Sequence, residues 1–544
     1  MIDMNRFLAL AGMIAVGLAP AVSHADVDAT AGGAAASKIA GPAPGRTETA
    51  AAGGAAPTSA AANDSRAAVP AGPSAPAEQK DKAAAKAPAD RGWTLFGALR
   101  VRVEDQNFFP TPRANGAYTF VGDSFRFGVQ RQTKAADYWL EMEQDGLFNL
   151  PTKAIAPAPQ GQLGHGATYR AINGGKVANL FLKQAFVRIK DIGSESNSLR
   201  LGRFEYGDGL ETTPADPSLN WLKQNRIGQR LIGPFGYTIV TRSFDGFQFT
   251  NNTPKGNLTV LGVFPTRGAF DLNGWDSLPD IKVAYVAGTL PRQTKTSASD
   301  MRLFFLYYED DRSHEVKTDN RPAAVRGMDT SAIQVETFGG HYARVMNAGP
   351  GKLDVLGWIA GQVGTWGVQN HGAWAFSAEA GYQFPKTAWK PWLRAGYYMG
   401  SGDGNPNNGQ HGTFFPVLPT ARVYARYPFF AEANLDDAFV QAIAKPSNRL
   451  TLRSDVRWLR LADSHDLWYS GGGAFNNSSF GYQGRPSGGK TDLATLADLS
   501  ADYQLSKTTA LTLYGAYANG GGVVASSFTG RDSVFVYGEM NVKF

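Results

Sequence analysis

From residue 92 onward, hydrophobic and polar positions alternate with a period of two. Over Leu95 to Glu104, one face carries Leu95, Gly97, Leu99, Val101 and Val103, and the other Ala98, Arg100, Arg102 and Glu104. The C-terminal stretch repeats the pattern. Val534, Val536, Gly538, Met540, Val542 and Phe544 share one face, while Tyr537, Glu539, Asn541 and Lys543 share the other. A β-strand points successive side chains to opposite faces, so this period predicts strands with one apolar and one polar side. Comparable segments recur near 118–131, 137–146, 179–190, 198–206, 243–250, 256–264, 280–288, 301–309, 331–344, 352–364, 373–383, 390–400, 434–445, 449–461, 495–505 and 509–518, which makes eighteen predicted strands.

The connections decide between a soluble and a membrane protein. Several even-numbered ones are short, at 132–136, 191–197, 446–448 and 506–508, whereas several odd-numbered ones are long, at 147–178, 207–242, 401–433 and 462–494. Short turns on one side and long loops on the other mark an outer-membrane barrel. Strands of about ten residues at about 3.3 Å each, tilted by about 40–45°, rise about 23–25 Å, the height of the apolar band of such barrels. An even count closes the sheet antiparallel and leaves no backbone edge facing lipid. The predicted fold is therefore all-β, a transmembrane antiparallel barrel of about eighteen strands with short periplasmic turns and long extracellular loops. A soluble array of sandwiches would not account for the loop asymmetry or for the terminal Phe544.

Composition agrees. Gly (63 residues) and aromatic residues (12 %) are abundant, while 43 % of the chain is hydrophobic, as expected where only alternate strand residues meet lipid. Cys is absent, which excludes disulfides and thiolate metal sites. The start of the chain differs from the rest. Residues 1–25 combine Arg6, an apolar run from Phe7 to Ala21 and Ser23-His24-Ala25, the layout of a cleavable secretory signal. Residues 26–91 are rich in Ala, Gly, Pro, Ser and Thr and bury too little apolar surface to fold, so a disordered periplasmic segment is expected there, followed by the barrel over 92–544. A net charge of +6 would suit nucleic acid, but secretion and the lack of a clustered basic helix point away from it.

Three stretches carry a family likeness: Leu201-Gly202-Arg203, Phe244-Asp245-Gly246 and, above all, the run from Ser401 to Phe415, SGDGNPNNGQHGTFF. They resemble the alginate export family of eighteen-stranded outer-membrane porins, over about Trp93 to Phe544. The Ala/Pro-rich segment at 26–90 departs from that family's pattern. The resemblance implies secretion of an anionic uronate polysaccharide through a basic pore.

A barrel of sixteen or more strands leaves an aqueous lumen, so function resides in the pore wall. With the more apolar face of each strand outward, the lumen receives Arg100, Arg102 and Glu104 from the first strand, Arg126 from the second, Arg188 and Lys190 from the fourth, and Arg203 and Glu205 from the fifth. Arg394 follows on the thirteenth, and Arg453, Asp455 and Arg457 on the fifteenth. Asp245 joins this set, although Phe244, Phe247 and Phe249 leave the phase of its strand open. Guanidinium is permanently charged and its planar fork matches a carboxylate, so a wall of such groups can replace water around a sugar acid. Interleaved carboxylates would keep that binding weak enough for transport.

Other chemistry is poorly supported. Glu141 and Glu143 lack an opposing carboxylate, and Glu309, Asp310 and Asp311 read as a solvated rim. Gly484 to Thr491 fits phosphate-loop spacing but lies in a predicted external loop. In the loop from Asp403, position six is Asn408 and position twelve Phe414, which breaks calcium-loop geometry. The seven His residues are scattered. No catalytic residue, cofactor or metal is predicted. The expected partners are an anionic polysaccharide or a small anionic solute, outer-membrane lipid and periplasmic secretion components. Passive export of an alginate-like polymer is the leading reading, and a porin taking up small anions is the alternative.

Overall fold

The computed structural model describes residues 91–544, apart from 313–314, 421–425, 428, 474 and 477–478, so the expected signal and disordered segment lie outside the described residues. Among those residues, eighteen strands line the wall: β1 Arg91–Asn107, β2 Ala117–Gln132, β3 Ala136–Phe148, β4 Ala178–Lys190, β5 Asn197–Phe204, β6 Phe244–Thr253, β7 Gly256–Pro265, β8 Ile281–Gln293, β9 Ser297–Asp310, β10 Ile333–Ala348, β11 Gly351–Trp366, β12 Gln369–Gln383, β13 Trp392–Gly400, β14 Leu435–Ala444, β15 Leu450–Arg460, β16 Asp492–Gln504, β17 Thr509–Gly520 and β18 Asp532–Lys543. Each pairs antiparallel with the next. The sheet closes where β1 meets β18, with Ala98 opposite Lys543 and Asn107 opposite Val534. All eighteen predicted segments are strands, and no helix among the described residues is long and apolar enough to cross a membrane.

The period of two becomes a greasy outside and a polar inside. On β9, Leu303 is 66 % exposed while Arg302, its neighbour, is fully buried. On β1, Leu95 and Val103 face out and Arg100, Arg102 and Glu104 are buried inside. A closed ladder satisfies the backbone groups that lipid cannot. The seam is finished by the last residue, since Gly97 and Phe544 exchange both backbone hydrogen bonds at 3.0 Å. The Phe544 ring lies over Gly97 so closely that a Cβ there would meet it at 2.3 Å, and it stacks on Phe125.

One stretch of wall is built differently. β5 pairs with β4 only from Ala185↔Arg203 to Lys190↔Ser198, and after Phe204 the chain turns into the barrel. The upper edge of β4 is left without a strand, and side chains cap it. The indole of Trp275 donates to the Leu180 carbonyl (2.7 Å), Arg203 to that of Leu182 (3.2 Å) and the Ser243 hydroxyl to that of Lys183 (2.6 Å).

Candidate functional site

The long loop 205–243 does not extend into solvent but crosses the interior as a strap. Asp216 starts a short helix, α1 (Pro217–Leu222), by accepting from the Ser218 and Leu219 amides at 2.9 and 3.0 Å, with Pro217 in the first turn, where its missing N–H costs nothing. A π-turn, Lys223–Ile227, follows and brings Lys223, Arg226 and, four residues on, Arg230 to the barrel wall. Beyond it the strap pairs with a second inward loop, 401–434. The Leu418 amide donates to Leu231, and the Gly233 amide returns a bond to Leu418.

Charge holds the strap on three sides. Toward β12, Arg226 donates to both oxygens of Glu379 at 2.8–3.0 Å, and toward the second inward loop Arg230 reaches Glu432 at 2.6 Å. Toward β9, Lys223 bonds Asp300 at 2.9 Å, and Asp300 also binds His341 at 2.7 Å. Arg302 answers from the wall, reaching Asp208 and Glu211 of the strap at 3.1 Å each. Toward β1, Arg100 donates to the carbonyls of Gly236 (2.7 Å), Thr238 and Ile239 (2.9 Å), and Arg102 to that of Tyr237 (2.8 Å). Burial lowers the affinity of Lys223 and Arg226 for their protons, and it pushes Arg242, which donates to carbonyls of Gly233 and Leu418, down to about 9. The Glu432 carboxyl is pushed up by burial in spite of Arg230.

The residues expected in the lumen fall into several groups. Arg100, Arg102 and Glu104 sit together, with Arg102 also bound to Glu539 and Glu104 to His165. Arg126 is held between Glu141 (2.9 Å) and Glu205 (3.2 Å), and Glu205 also takes Lys183 at 3.1 Å. On β13 and β15, Arg394 binds Asp354 (3.1 Å) and Glu379 (3.0 Å), Arg453 binds Asp455 (2.8 Å), and Arg457 binds Asp437. Arg188 stands apart near the periplasmic end, on Asp137.

Arg203 and Asp245 are a correction to the expected lumen set. They pair at 2.7 Å on the outward face, since Phe204 and Phe244 directly beside them turn into the core and Asp245 lies opposite the exposed Phe264. The arginines also differ from the open wall of anion ligands that the sequence suggested. Each is already engaged by carboxylates or by strap carbonyls of this chain.

Several interior residues escaped the sequence reading. Lys183 is displaced by a register shift between Glu141 and Met142, which breaks the alternation on β4. Arg302 alternates with Leu303 and was legible in the pattern. Lys223, Arg226 and Arg230 lie at helical spacing inside a long loop, the one local sign that this loop has a structured task.

A family model described as alginate export matches residues 172–527. No curated protein matches the chain. Among solved structures, two Pseudomonas aeruginosa porins share the fold. OccK9 (OpdG) has a TM-score of 0.51 at 10 % identity, and OccK2 (OpdF) 0.50 at 8 %, each match covering 83 % of this chain and 98 % of the porin.

Proposed function

Starting from the fact that this chain belongs to the alginate export family and forms an outer-membrane channel, we propose that it carries an anionic uronate polysaccharide by exchanging the cargo's carboxylates for its own. The interior pairing of arginine with carboxylate carries this reading. Arg394, Arg453 and Arg457 face the lumen, each with Asp or Glu within reach. A sugar acid offers the same planar oxygens and can replace these partners without leaving the guanidinium bare. Arg100, Arg102 and Arg126 do the same on β1 and β2, farther round the wall, and Arg188 extends the track toward the periplasm. Residues 1–25 act as the export signal and 26–91 as a periplasmic tether.

The test is ion selectivity in planar bilayers. Arg453→Ala plus Arg457→Ala leaves Asp437 and Asp455 without guanidinium partners, so permeability for anions over cations should fall several-fold and reverse toward cations. Unchanged selectivity would remove these residues from the pathway. The same bilayers separate polymer export from passage of small anions, because polyuronate should interrupt the current of a polymer channel and leave a small-anion porin unaffected.

A further inference from the structure

Two carboxylates lie side by side beneath the strap with too few donors between them. Glu143 and Asp145, two apart on β3, both turn inward and are 0 % exposed. Glu143 accepts from the hydroxyl of Ser124 at 2.9 Å and from that of Thr241, on the strap, at 3.0 Å, and Lys183 stands 3.7 Å from it. Asp145 has no such support. Ser124 is its cross-strand partner on β2, but a hydroxyl carries one proton, and that proton goes to Glu143. On the other side, Asn179 of β4 pairs with Asp145 across the ladder and turns its amide to the Leu272 carbonyl at 2.8 Å. Neither oxygen of Asp145 receives a hydrogen bond from any described residue.

The cations around the pair are engaged elsewhere. Lys183 donates to the Arg242 carbonyl (2.8 Å) and to Glu205 (3.1 Å), Arg126 lies between Glu141 and Glu205, and Arg100 points at strap carbonyls. Arg242 itself turns away, to the carbonyls of Gly233 and Leu418. In this part of the interior four buried carboxylates, Glu141, Glu143, Asp145 and Glu205, therefore face three cations, Arg100, Arg126 and Lys183, and one negative charge is left over. A buried carboxylate with neither donor nor counter-charge is strongly unfavourable, so the surplus calls for a partner from solution.

We propose that Glu143 and Asp145, with the hydroxyl oxygens of Ser124 and Thr241, hold a hard cation of sodium or calcium size, which pins the strap to β2 and β3. The site stands apart from the cargo reading above. Its donors are all oxygens, two carboxylates and two hydroxyls, the set that such an ion takes at bonds of about 2.3–2.6 Å. A cation also suits the pair better than a proton. The two carboxyls make no hydrogen bond with each other, whereas an ion bonded on both sides spans a wider gap than a shared proton does. Sodium would balance the single surplus charge, and calcium would exceed it by one. Thr241 belongs to the strap and the other three ligands to the wall, so an ion that needs all four favours the closed strap.

The experiment is amide hydrogen exchange of the full chain in detergent at about pH 8, well above the ordinary carboxyl range. The protein is chelated and dialysed into choline chloride, and then sodium, potassium or calcium replaces choline at equal ionic strength. Sodium or calcium should slow exchange across 236–243 at least fivefold, and potassium, a larger ion, should do less. A response to sodium alone assigns a monovalent occupant and a response to calcium alone a divalent one, and either upholds the site. Asp145→Asn removes the surplus charge and should exchange at one rate whatever the salt. If that variant fails to assemble, Thr241→Val serves, and it should need at least fivefold more cation for the same protection. Equal exchange of the parent in choline, sodium and calcium would mean that a proton on Asp145 answers the charge, and overturns the proposal. A cation effect that persists unchanged in Asp145→Asn or in Thr241→Val, or that is spread evenly over the chain, overturns it as well.

Discussion

A guanidinium withdrawn from water is tolerated only where its partners match it, and the interior of this barrel shows how strongly a single loss would act. Arg226 brings its fork against Glu379 with both groups buried. Replacing it with Met leaves Glu379 to Arg394 and Arg230, and breaking a buried pair from one side costs about 3–5 kcal/mol. The barrel itself does not depend on this pair, so the cost falls on the strap. Arg226→Met should raise open probability in single-channel recordings, and adding Glu379→Gln should return part of the loss. A closed channel indistinguishable from the parent would show that the strap is held elsewhere. The sequence indicated that Arg394, Arg453 and Arg457 face inward because alternation alone fixes a strand's polar side. It left Asp245 open and misassigned Arg203, since a polar pair on an outward face becomes visible only when Phe204 and Phe244 are seen to enter the core.

At the scale of the element, loop 401–434 is fastened to the wall by an imidazole pair. His371 on β12 and His411 on the loop approach at 2.8 Å between their Nδ1 atoms, and the His411 ring lies flat on Trp366 at 4.2 Å. Gln362 fixes the proton pattern. Its amide donates to the Phe415 carbonyl and its oxygen accepts from the Phe415 amide, so His371 Nε2 donates to that oxygen and its Nδ1 receives the proton of His411. Burial, His371 and Arg321 hold His411 well below the ordinary imidazole range. Asp319 on the neighbouring loop accepts from the Trp366 indole, and Tyr469 and Tyr482 lie on the same side. Because the closed loop takes up a proton less readily than a released one, closure is fully favourable above about pH 6.5 and weakens as the pH falls below it. Asp466, pushed up to about 6 by burial on the other side of the same loop, acts with the opposite sign. The informative comparison is therefore parent against His411→Phe. Amide exchange across 410–415, corrected for intrinsic rate, should accelerate more between pH 7 and pH 5 in the parent, and identical profiles would discard the latch. None of this was legible beforehand. Two histidines forty residues apart, one on a strand and one in a loop, become neighbours only through the inward path of that loop.

For the molecule as a whole, closure removes the edges that β1 and β18 would otherwise expose, and its last contact is the smallest. Gly97 has room for nothing larger beneath the Phe544 ring. Gly97→Leu should displace that ring and lower the fraction of protein that resists unfolding by dodecyl sulfate without heating, while Phe544→Ala should give a similar loss. Normal resistance in both variants would mean that the remaining β1–β18 ladder suffices. The eighteen strands were readable because lipid outside and water or polar groups inside impose opposite demands on adjacent residues. The path of the strap was not, because a loop folded inward uses the same Gly, Pro and polar residues as one that reaches into solvent.

The missing partner along the upper part of β4 has a mechanical meaning. Elsewhere neighbouring strands are stitched by backbone ladders that share load over many amides, whereas here tension passes through an indole, a guanidinium and a hydroxyl, each acting singly. Pulled apart sideways, the cylinder should tear along this line first, with the flap from β5 to β7 peeling away while the rest of the wall holds its curvature.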